Sequence, residues 1–367
     1  MSRQDRTLNR DQVVVGISGG VDSSVAALLL QQAGYTVHGV AFNTWRAKPE
    51  IGDVLPRARQ TAAHLKIPLV YRDLQETFYE KVVSPFLDAY AQGRTPNPCV
   101  FCNPTLKFAT LLEAADQLGV YWIATGHYAR VVHSADGPSH LLRGAATQKD
   151  QSYALYRLTQ PTISRLQLPL GDLRTKSDVR AIARRHGLPA AEADDSQDLC
   201  FALGSDYQSL VAQLRPEALA PGTIVDEEGT VLGQHEGLPR YTVGQRSGLG
   251  IAASERLYVL SLDAETNTLT VGPRESLQQQ ACTIQQLTFI AGTPPAPQFD
   301  ALARIRYRAP LVPAEVKILG PNTAHVGFTK PQIGVAPGQS LVLYRDDEVL
   351  GGGVIGQTEP TPPEPKT

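Results

Sequence analysis

The chain has few cysteines, no long apolar run and almost no net charge, and each shortage removes a class of protein. Four cysteines in 367 residues cannot make the disulfide framework of a small secreted domain. No uninterrupted apolar stretch is long enough to span a bilayer. The first residues, Met1-Ser2-Arg3-Gln4-Asp5-Arg6, are polar and lack the apolar segment of a signal peptide. A cytoplasmic protein without a membrane partner is expected. The formal charge of −2 provides no global field for nucleic acid, so any such binding must use a local basic patch. No internal repeat is evident. The length predicts two or three domains, each able to bury a core.

What is present concentrates first near the N-terminus. The apolar run Val13-Val14-Val15-Gly16-Ile17 leads into Ser18-Gly19-Gly20-Val21-Asp22-Ser23-Ser24, and Val25-Ala26-Ala27-Leu28-Leu29-Leu30 follows. This reads as strand, glycine-rich turn and helix. Such a turn aims backbone N–H groups and a helix N-terminus at one point, a ready site for polyphosphate. Ser18, Ser23 and Ser24 add hydroxyl donors, and Asp22 can help place Mg²⁺. No Lys closes the turn, which excludes the G-x-x-x-x-G-K-[ST] loop. The segment resembles the PP-loop, S-G-G-x-D-S-[ST], whose enzymes cleave ATP between the α and β phosphates and adenylate an oxygen.

Around this turn the chain alternates strands (Val13–Ile17, Thr36–Ala41, Leu69–Arg72, Tyr121–Thr125) with helices (Val21–Ala33, Arg57–Lys66, Thr77–Gln92, Leu106–Leu118). Gly34, Gly93 and Gly119 stand where helix C-caps belong. The rhythm predicts an α/β fold with a doubly wound parallel sheet, which binds ligands beyond the carboxyl ends of its strands. The PP-loop, Phe42 after the second strand and Gly126-His127-Tyr128 after the last fall at such ends. A hairpin is expected around Ala135-Asp136-Gly137, and a helix near Ser177–His186 closed by Gly187. After Cys200 the turn pairs multiply, and Tyr258–Leu262 and Thr268–Val271 read as another hairpin. From Cys282 to Gly356 short strands suggest a small β-barrel. The expected domains are 1–202 (catalytic, ATP-binding), 203–278 (small and central) and 279–357 (barrel), with a disordered tail over 358–367.

The loop Gly93–Pro104, rich in proline, presents Cys99 and Cys102 just before a helix, where a thiolate is favoured as nucleophile or metal ligand. Half of a zinc site is one reading, but no second closely spaced Cys or His pair exists. A thioredoxin-like role fits poorly with a proline-rich loop in an ATP-binding domain. Cys200 lies in Asp194-Asp195-Ser196-Gln197-Asp198-Leu199-Cys200-Phe201. Cys282 has no polar partners nearby and reads as a buried small hydrophobe.

With these segments together, the chain resembles the bacterial tRNA-specific 2-thiouridylases over nearly its whole length. The resemblance rests on the PP-loop, Thr95-Pro96-Asn97-Pro98, Cys102-Asn103, Lys107-Phe108 and Ala124-Thr125-Gly126-His127-Tyr128. It continues through Lys149-Asp150-Gln151-Ser152-Tyr153, Asp195-Ser196, Cys200-Phe201, Gly244-Gln245-Arg246, Gly248-Leu249-Gly250 and Pro337-Gly338-Gln339. It implies replacement of the C2 oxygen of the wobble uridine by sulfur. ATP would be held by Gly16-Ile17-Ser18-Gly19-Gly20-Val21-Asp22-Ser23, Phe42 and Gly126. Cys200 would carry a persulfide and Cys102 would attack or resolve it, through a transient disulfide, with His127 also important for activity. The implied tRNA contacts are Asn97-Pro98-Cys99, Lys149-Asp150-Gln151 and Arg306-Tyr307; Gln339 also belongs to the site. The implied partners are tRNA, with Lys, Glu and Gln acceptors, and a persulfide relay protein or cysteine desulfurase.

Cys99 departs from the family, which commonly has Asp there. A thiol, with a reference pKa of about 8.5, is a different acid from a carboxyl. Cys99, Cys102 and Cys200 can alternatively hold three irons of a [4Fe–4S] cluster, the fourth binding hydrosulfide. Independently of the family, Arg304-Ile305-Arg306-Tyr307-Arg308 alternates. Read as a strand, its three arginines share one face beside an aromatic, suited to phosphate and base. Two other readings are a PP-loop ligase or amidotransferase acting on a metabolite and a non-catalytic RNA- or metal-binding protein. Ser2 denies the amidotransferase an N-terminal glutaminase cysteine, and the ligase leaves the spaced cysteines unexplained. The intact PP-loop opposes the binding module.

Overall fold

The computed structural model describes residues 8–45, 54–134, 136–192, 199–201, 207–252 and 255–361. The PP-loop is held by a five-stranded parallel sheet in which Leu69–Asp73, Thr36–Asn43, Asn9–Gly16, Val120–Ala124 and Leu166–Gln167 lie side by side in that order. In chain order the region contains β1 (Asn9–Gly16), α1 (Val21–Gln32), β2 (Thr36–Asn43), α2 (Val54–Leu65) and β3 (Leu69–Asp73). Then come α3 (Gln75–Phe78), α4 (Ser84–Ala91), α5 (Cys99–Cys102), α6 (Phe108–Gln117) and β4 (Val120–Ala124). Val13 and Val15 of β1 pack with α1 and α2, while Val14 packs with α6 on the other face, and all three are fully buried. A strand buried on both faces must be apolar throughout, which is what its valine run supplies. Gly34, Gly93 and Gly119 follow their helices with positive φ, as their positions predicted.

The predicted hairpin forms as β5 (Ala129–Val132) and β6 (His140–Arg143); Ala135 lies outside the described residues. Next come α7 (Gln160–Ile163), the edge strand β7 (Leu166–Gln167), and α8 (Lys176–Arg185), close to the expected helix. The helix α9 (Tyr207–Leu214) opens the central region. There β8 (Gly222–Val225), β9 (Val231–His235), β10 (Tyr258–Asp263) and β11 (Thr268–Gly272) form a sheet ordered β10-β11-β8-β9. The predicted second hairpin is β10–β11.

The last six strands are β12 (Gln278–Phe289), β13 (Gln298–Arg304), β14 (Val312–Gly320), β15 (Thr323–Ile333), β16 (Ser340–Arg345) and β17 (Glu348–Pro360). They run β12-β15-β14-β13-β16-β17, and pairing of β17 with β12 closes them into the expected barrel. β17 runs on through Thr358–Pro360, into the segment expected to be a tail, because its backbone pairs with β12 there. Residues 362–367 lie outside the described residues, as do Met1–Arg6, Asp195-Ser196 and the boundary expected at 202/203.

The barrel and the parallel sheet share a core. Tyr153 and Tyr156 pack with Tyr344 and Val342 of β16, and the hairpin β5–β6 extends the barrel sheet through Leu142 beside Glu348. The Tyr153 hydroxyl donates to the Ser340 carbonyl oxygen at 2.7 Å. This joint ties the barrel to the parallel-sheet region.

Candidate active site

The loop between β1 and α1 has the shape its glycines predicted. Gly19 has a φ of 73°, and a Cβ there would run into Arg57 and come within 2.8 Å of the Ala58 amide nitrogen. Ser23 binds the turn to itself: its Oγ accepts from the Ser18 amide at 3.2 Å and donates to the Gly20 carbonyl at 3.1 Å. Ser24 is fully buried and bonded to Gly20 O and Thr61 Oγ1. It braces α1 rather than facing a ligand, which corrects its expected role as a donor. Gly20 N-caps α1 and no side chain caps it. A helix N-terminus open at a glycine turn suits phosphate oxygens, so the residues present fit ATP.

Phe42 corrects a boundary. It lies within β2, not after it, and its ring covers Gly16. Gly126 follows β4 as expected. A Cβ there would meet the Asp22 carbonyl carbon at 2.7 Å and the Ser23 nitrogen at 2.8 Å, so the β4 loop rests directly on the PP-loop. Asp22, expected to help place Mg²⁺, is gripped from two sides. The Lys176 Nζ lies 2.6 and 2.7 Å from its two oxygens, and the Tyr128 hydroxyl donates to Oδ1 at 2.7 Å. Tyr128 is fixed in turn by Gln151, whose Oε1 accepts from its amide at 2.9 Å. No motif flagged Lys176; its one local signal is its place after the N-cap Thr175, which forms a capping box with Asp178.

The cysteines are arranged differently from the expectation. The proline loop ends at Pro98, and Cys99 and Cys102 form the first turn of a helix that continues through a π-turn, Asn103–Lys107, into α6. Proline is compatible with a first turn, and the π-turn absorbs Pro104. Cys102 is buried, and burial pushes its thiol up to about 12 despite the opposing charge of Lys107. The Cys200 thiol is also raised, by burial first, with Lys107 pulling it down. Burial lowers the Lys107 ammonium, but Cys102, Cys200 and Cys99 together raise it further, for a net rise. One lysine therefore stands within electrostatic reach of all three sulfurs. All described cysteines are free thiols.

Cys200 reaches this place through its neighbour. The Phe201 ring is 2% exposed and nested among Trp45, Phe78 and Phe86, with centroids 6.4, 5.8 and 5.1 Å away. Cys102 belongs to the same cluster. Among the described residues, no group of three His, Cys, Asp or Glu side chains is placed to hold a metal ion. The described cysteines are therefore not grouped as the iron–sulfur cluster raised as the alternative route would require.

His127 links the halves. It follows Gly126, stacks on Phe108 at 5.9 Å, and its Nδ1 lies 2.8 Å from Thr125 Oγ1. Burial, then the charge of Lys107, lower its pKa to about 3, so it is neutral at physiological pH. The proline loop is held from the barrel: the Gln339 Nε2 donates to Thr95 O at 3.0 Å and the Thr95 amide to Pro337 O at 3.0 Å.

The expected tRNA contacts fall together, with one reversal. Asn97 Oδ1 accepts from the Cys99 amide at 3.2 Å, with Pro98 between them. The Tyr307 phenol, raised by burial and then by Asp150, also feels Arg308, Arg304 and Cys99. Lys149, Arg306, Tyr307 and Arg308 are exposed. The predicted arginine strand does not form. β13 ends at Arg304, and Arg304 is buried with its Nη1 3.0 Å from Asp150 Oδ2. Asp150 is 3% exposed and accepts from the amides of Gly144 and Ser152 at 3.1 Å each. A carboxylate so engaged braces the turn that carries Lys149 and Gln151. Cys282 is fully buried in the barrel core, as expected.

No described helix is long and apolar enough to cross a membrane. Residues 11–204 match the family described as tRNA methyl transferase HUP domain, 208–273 its PRC-barrel domain and 279–355 the aminomethyltransferase beta-barrel domain. The chain is 42% identical to the tRNA-specific 2-thiouridylase MnmA of Roseiflexus castenholzii, over 94% of this chain and 99% of that protein. It is 43% identical to that of Carboxydothermus hydrogenoformans, over 95% and 98%, and 44% identical to that of Geotalea uraniireducens, over 94% and 95%. Matched along nearly its full length by such relatives, this chain belongs to the tRNA-specific 2-thiouridylase family.

Proposed function

We propose that the protein installs sulfur at C2 of the wobble uridine of tRNA, using ATP and Mg²⁺ to activate the C2 oxygen. The observation that carries this reading is the short path between two chemistries. Asp22 of the PP-loop touches Gly126, the next residue is His127, and Lys107 acts on His127 and on Cys99, Cys102 and Cys200. A uracil oxygen leaves poorly; as an adenylate it departs as AMP. The wobble base must flip out of the anticodon stack to reach the space between PP-loop and thiols.

Sulfur arrives on Cys200 as a persulfide, from a relay protein or a cysteine desulfurase. Cys102 attacks the Cys200 sulfur, the terminal sulfur passes to C2, and AMP leaves. A Cys102–Cys200 disulfide remains, which an external dithiol reduces. Lys107 works against the burial that raises the Cys102 and Cys200 thiols, and neutral His127 faces the reacting base. Cys99, with Asn97, Pro98, Lys149, Gln151, Arg306 and Tyr307, contacts the anticodon arm of Lys, Glu and Gln acceptors. The catalytic unit spans 1–202, the central domain 203–278 and the barrel from 279.

The test is pyrophosphate release from ATP with bulk tRNA, read beside 2-thiouridine content. Release dependent on tRNA, lost in Asp22→Ala, supports the reading. Cys200→Ser should abolish 2-thiouridine with tRNA affinity near normal; full thiolation by that variant refutes the persulfide role.

A further inference from the structure

Cys99 and Cys102 stand one turn apart at the start of a helix that runs on to Gln117. Both backbones are fixed: the Cys99 amide donates to Asn97 Oδ1 at 3.2 Å, and the Cys102 amide to the Pro98 carbonyl at 2.9 Å. Helix positions three apart have Cβ atoms about 5–6 Å from each other. A disulfide needs about 4 Å, so a slight tightening of this turn joins the two sulfurs. The π-turn starts directly at Asn103 and gives that tightening room, because its wider hydrogen-bonded ring is not the regular helix ladder. The environments of the three thiols differ. Cys99 is half-buried, while Cys102 is 4% exposed in the apolar cluster around Phe201. Cys200 is exposed as a residue, yet burial heads the causes that raise its thiol, so its sulfur faces inward, within electrostatic reach of Cys99. A Cys102–Cys200 disulfide would therefore lie inside, out of reach of the external dithiol that must reduce it.

Resting on the persulfide–disulfide reading above, we propose that Cys99 is the thiol that takes over this disulfide and carries it outward. The Cys99 thiolate attacks the Cys102 sulfur. A Cys99–Cys102 bond forms, the Cys102–Cys200 bond breaks, and its electron pair leaves on the Cys200 sulfur, which takes up the proton that Cys99 gave to water. Nothing is oxidised or reduced overall, because one disulfide replaces another. Cys200 is then free for the next persulfide, and the external dithiol reduces the Cys99–Cys102 bond at its half-buried end. Aspartate, the common residue of the family at this position, cannot take this part. The competing role is that Cys99 only stands in for that aspartate as an acid or base.

Mapping the disulfide left by one turnover separates the two. The full chain is loaded with persulfide by a cysteine desulfurase and free cysteine, desalted, and mixed under nitrogen with Mg·ATP and bulk tRNA, without reductant. Acid quenching, alkylation and peptide mass spectrometry then locate the bond. Wild type should hold Cys99–Cys102, in about tenfold excess over Cys102–Cys200. Cys99→Asp and Cys99→Ser should hold Cys102–Cys200. With thioredoxin as reductant, the steady rate of Cys99→Asp should fall about tenfold relative to its own first turnover, and the smaller dithiothreitol should restore it. An acid–base role predicts Cys102–Cys200 in wild type, and a slow first turnover in Cys99→Ser that Cys99→Asp recovers. Any wild-type disulfide other than Cys99–Cys102, or a Cys99→Asp steady rate that thioredoxin sustains as in wild type, overturns the inference. The wild-type map decides even should a variant fail to fold. Wild type that thiolates tRNA with all three cysteines still reduced would overturn the persulfide reading itself.

Discussion

Gln339, on the turn before β16, donates its side-chain amide to the carbonyl of Thr95, 244 positions away in sequence, at 3.0 Å. The barrel thus grips the loop that leads into Cys99 and Cys102. Gln339→Ala should loosen that loop without touching the PP-loop. Thiolation should fall about tenfold, the scale of one lost hydrogen bond to a buried group. ATP affinity should stay as in wild type. A parallel loss of ATP affinity would show that Gln339 acts through the whole fold.

Phe201 is the anchor of the Cys200 strand of chain. Phe201→Ala empties a nest lined by Trp45, Phe78 and Phe86. Filling of such sites is worth about 3 kcal/mol. The expected result is loss of 2-thiouridine with tRNA-dependent pyrophosphate release retained. Phe201→Leu should restore part of the thiolation. Unchanged thiolation in Phe201→Ala would show that Cys200 finds its place by other contacts.

Asp150 separates a structural role from an RNA contact. It sits between Arg304 and Arg143, and its side chain is 1% exposed. Asp150→Asn leaves a buried guanidinium without its counter-charge, at a cost of about 3 kcal/mol. The melting temperature should drop clearly. A variant with wild-type melting but weakened tRNA binding would instead make Asp150 a direct contact.

His127 contributes to acid sensitivity, beside His133 and His235, whose pKa values burial also lowers. The folded pKa of His127 is lowered to about 3 by burial and then by Lys107. The unfolded chain takes up a proton near pH 6.5 and the folded one does not, so stability is intact above that pH. It is lost progressively as pH falls from about 6.5 toward 3. His127→Gln should reduce the slope of the denaturation midpoint against pH in that window. Retention of the full slope would place the acid-sensitive group elsewhere.

Local pattern carried much of this protein. The valine run of β1, the glycine turn of the PP-loop and the glycines ending α1, α4 and α6 each act over a few residues, so spacing alone reports them. The barrel and the two hairpins were legible for the same reason. Where local rules misled, a distant partner had prevailed. The alternating arginines read as a strand, but Arg304 is held in the core by Asp150 and the chain turns out of β13 behind it. The proline loop should have carried both cysteines, but Cys99 already begins a helix that buries Cys102 against Phe201.

Read alone, the residues marked a PP-loop, separated cysteines and a family resemblance along the whole chain. How these parts are wired together came from the packing. It brought Lys107 within electrostatic reach of three thiols, Lys176 onto Asp22, and Gln339 onto Thr95. Periodicity reports which face of an element is buried, and that is a property of neighbours in the chain. Which cation meets which carboxylate depends on how helices and barrel pack across many intervening residues, and no local spacing encodes it.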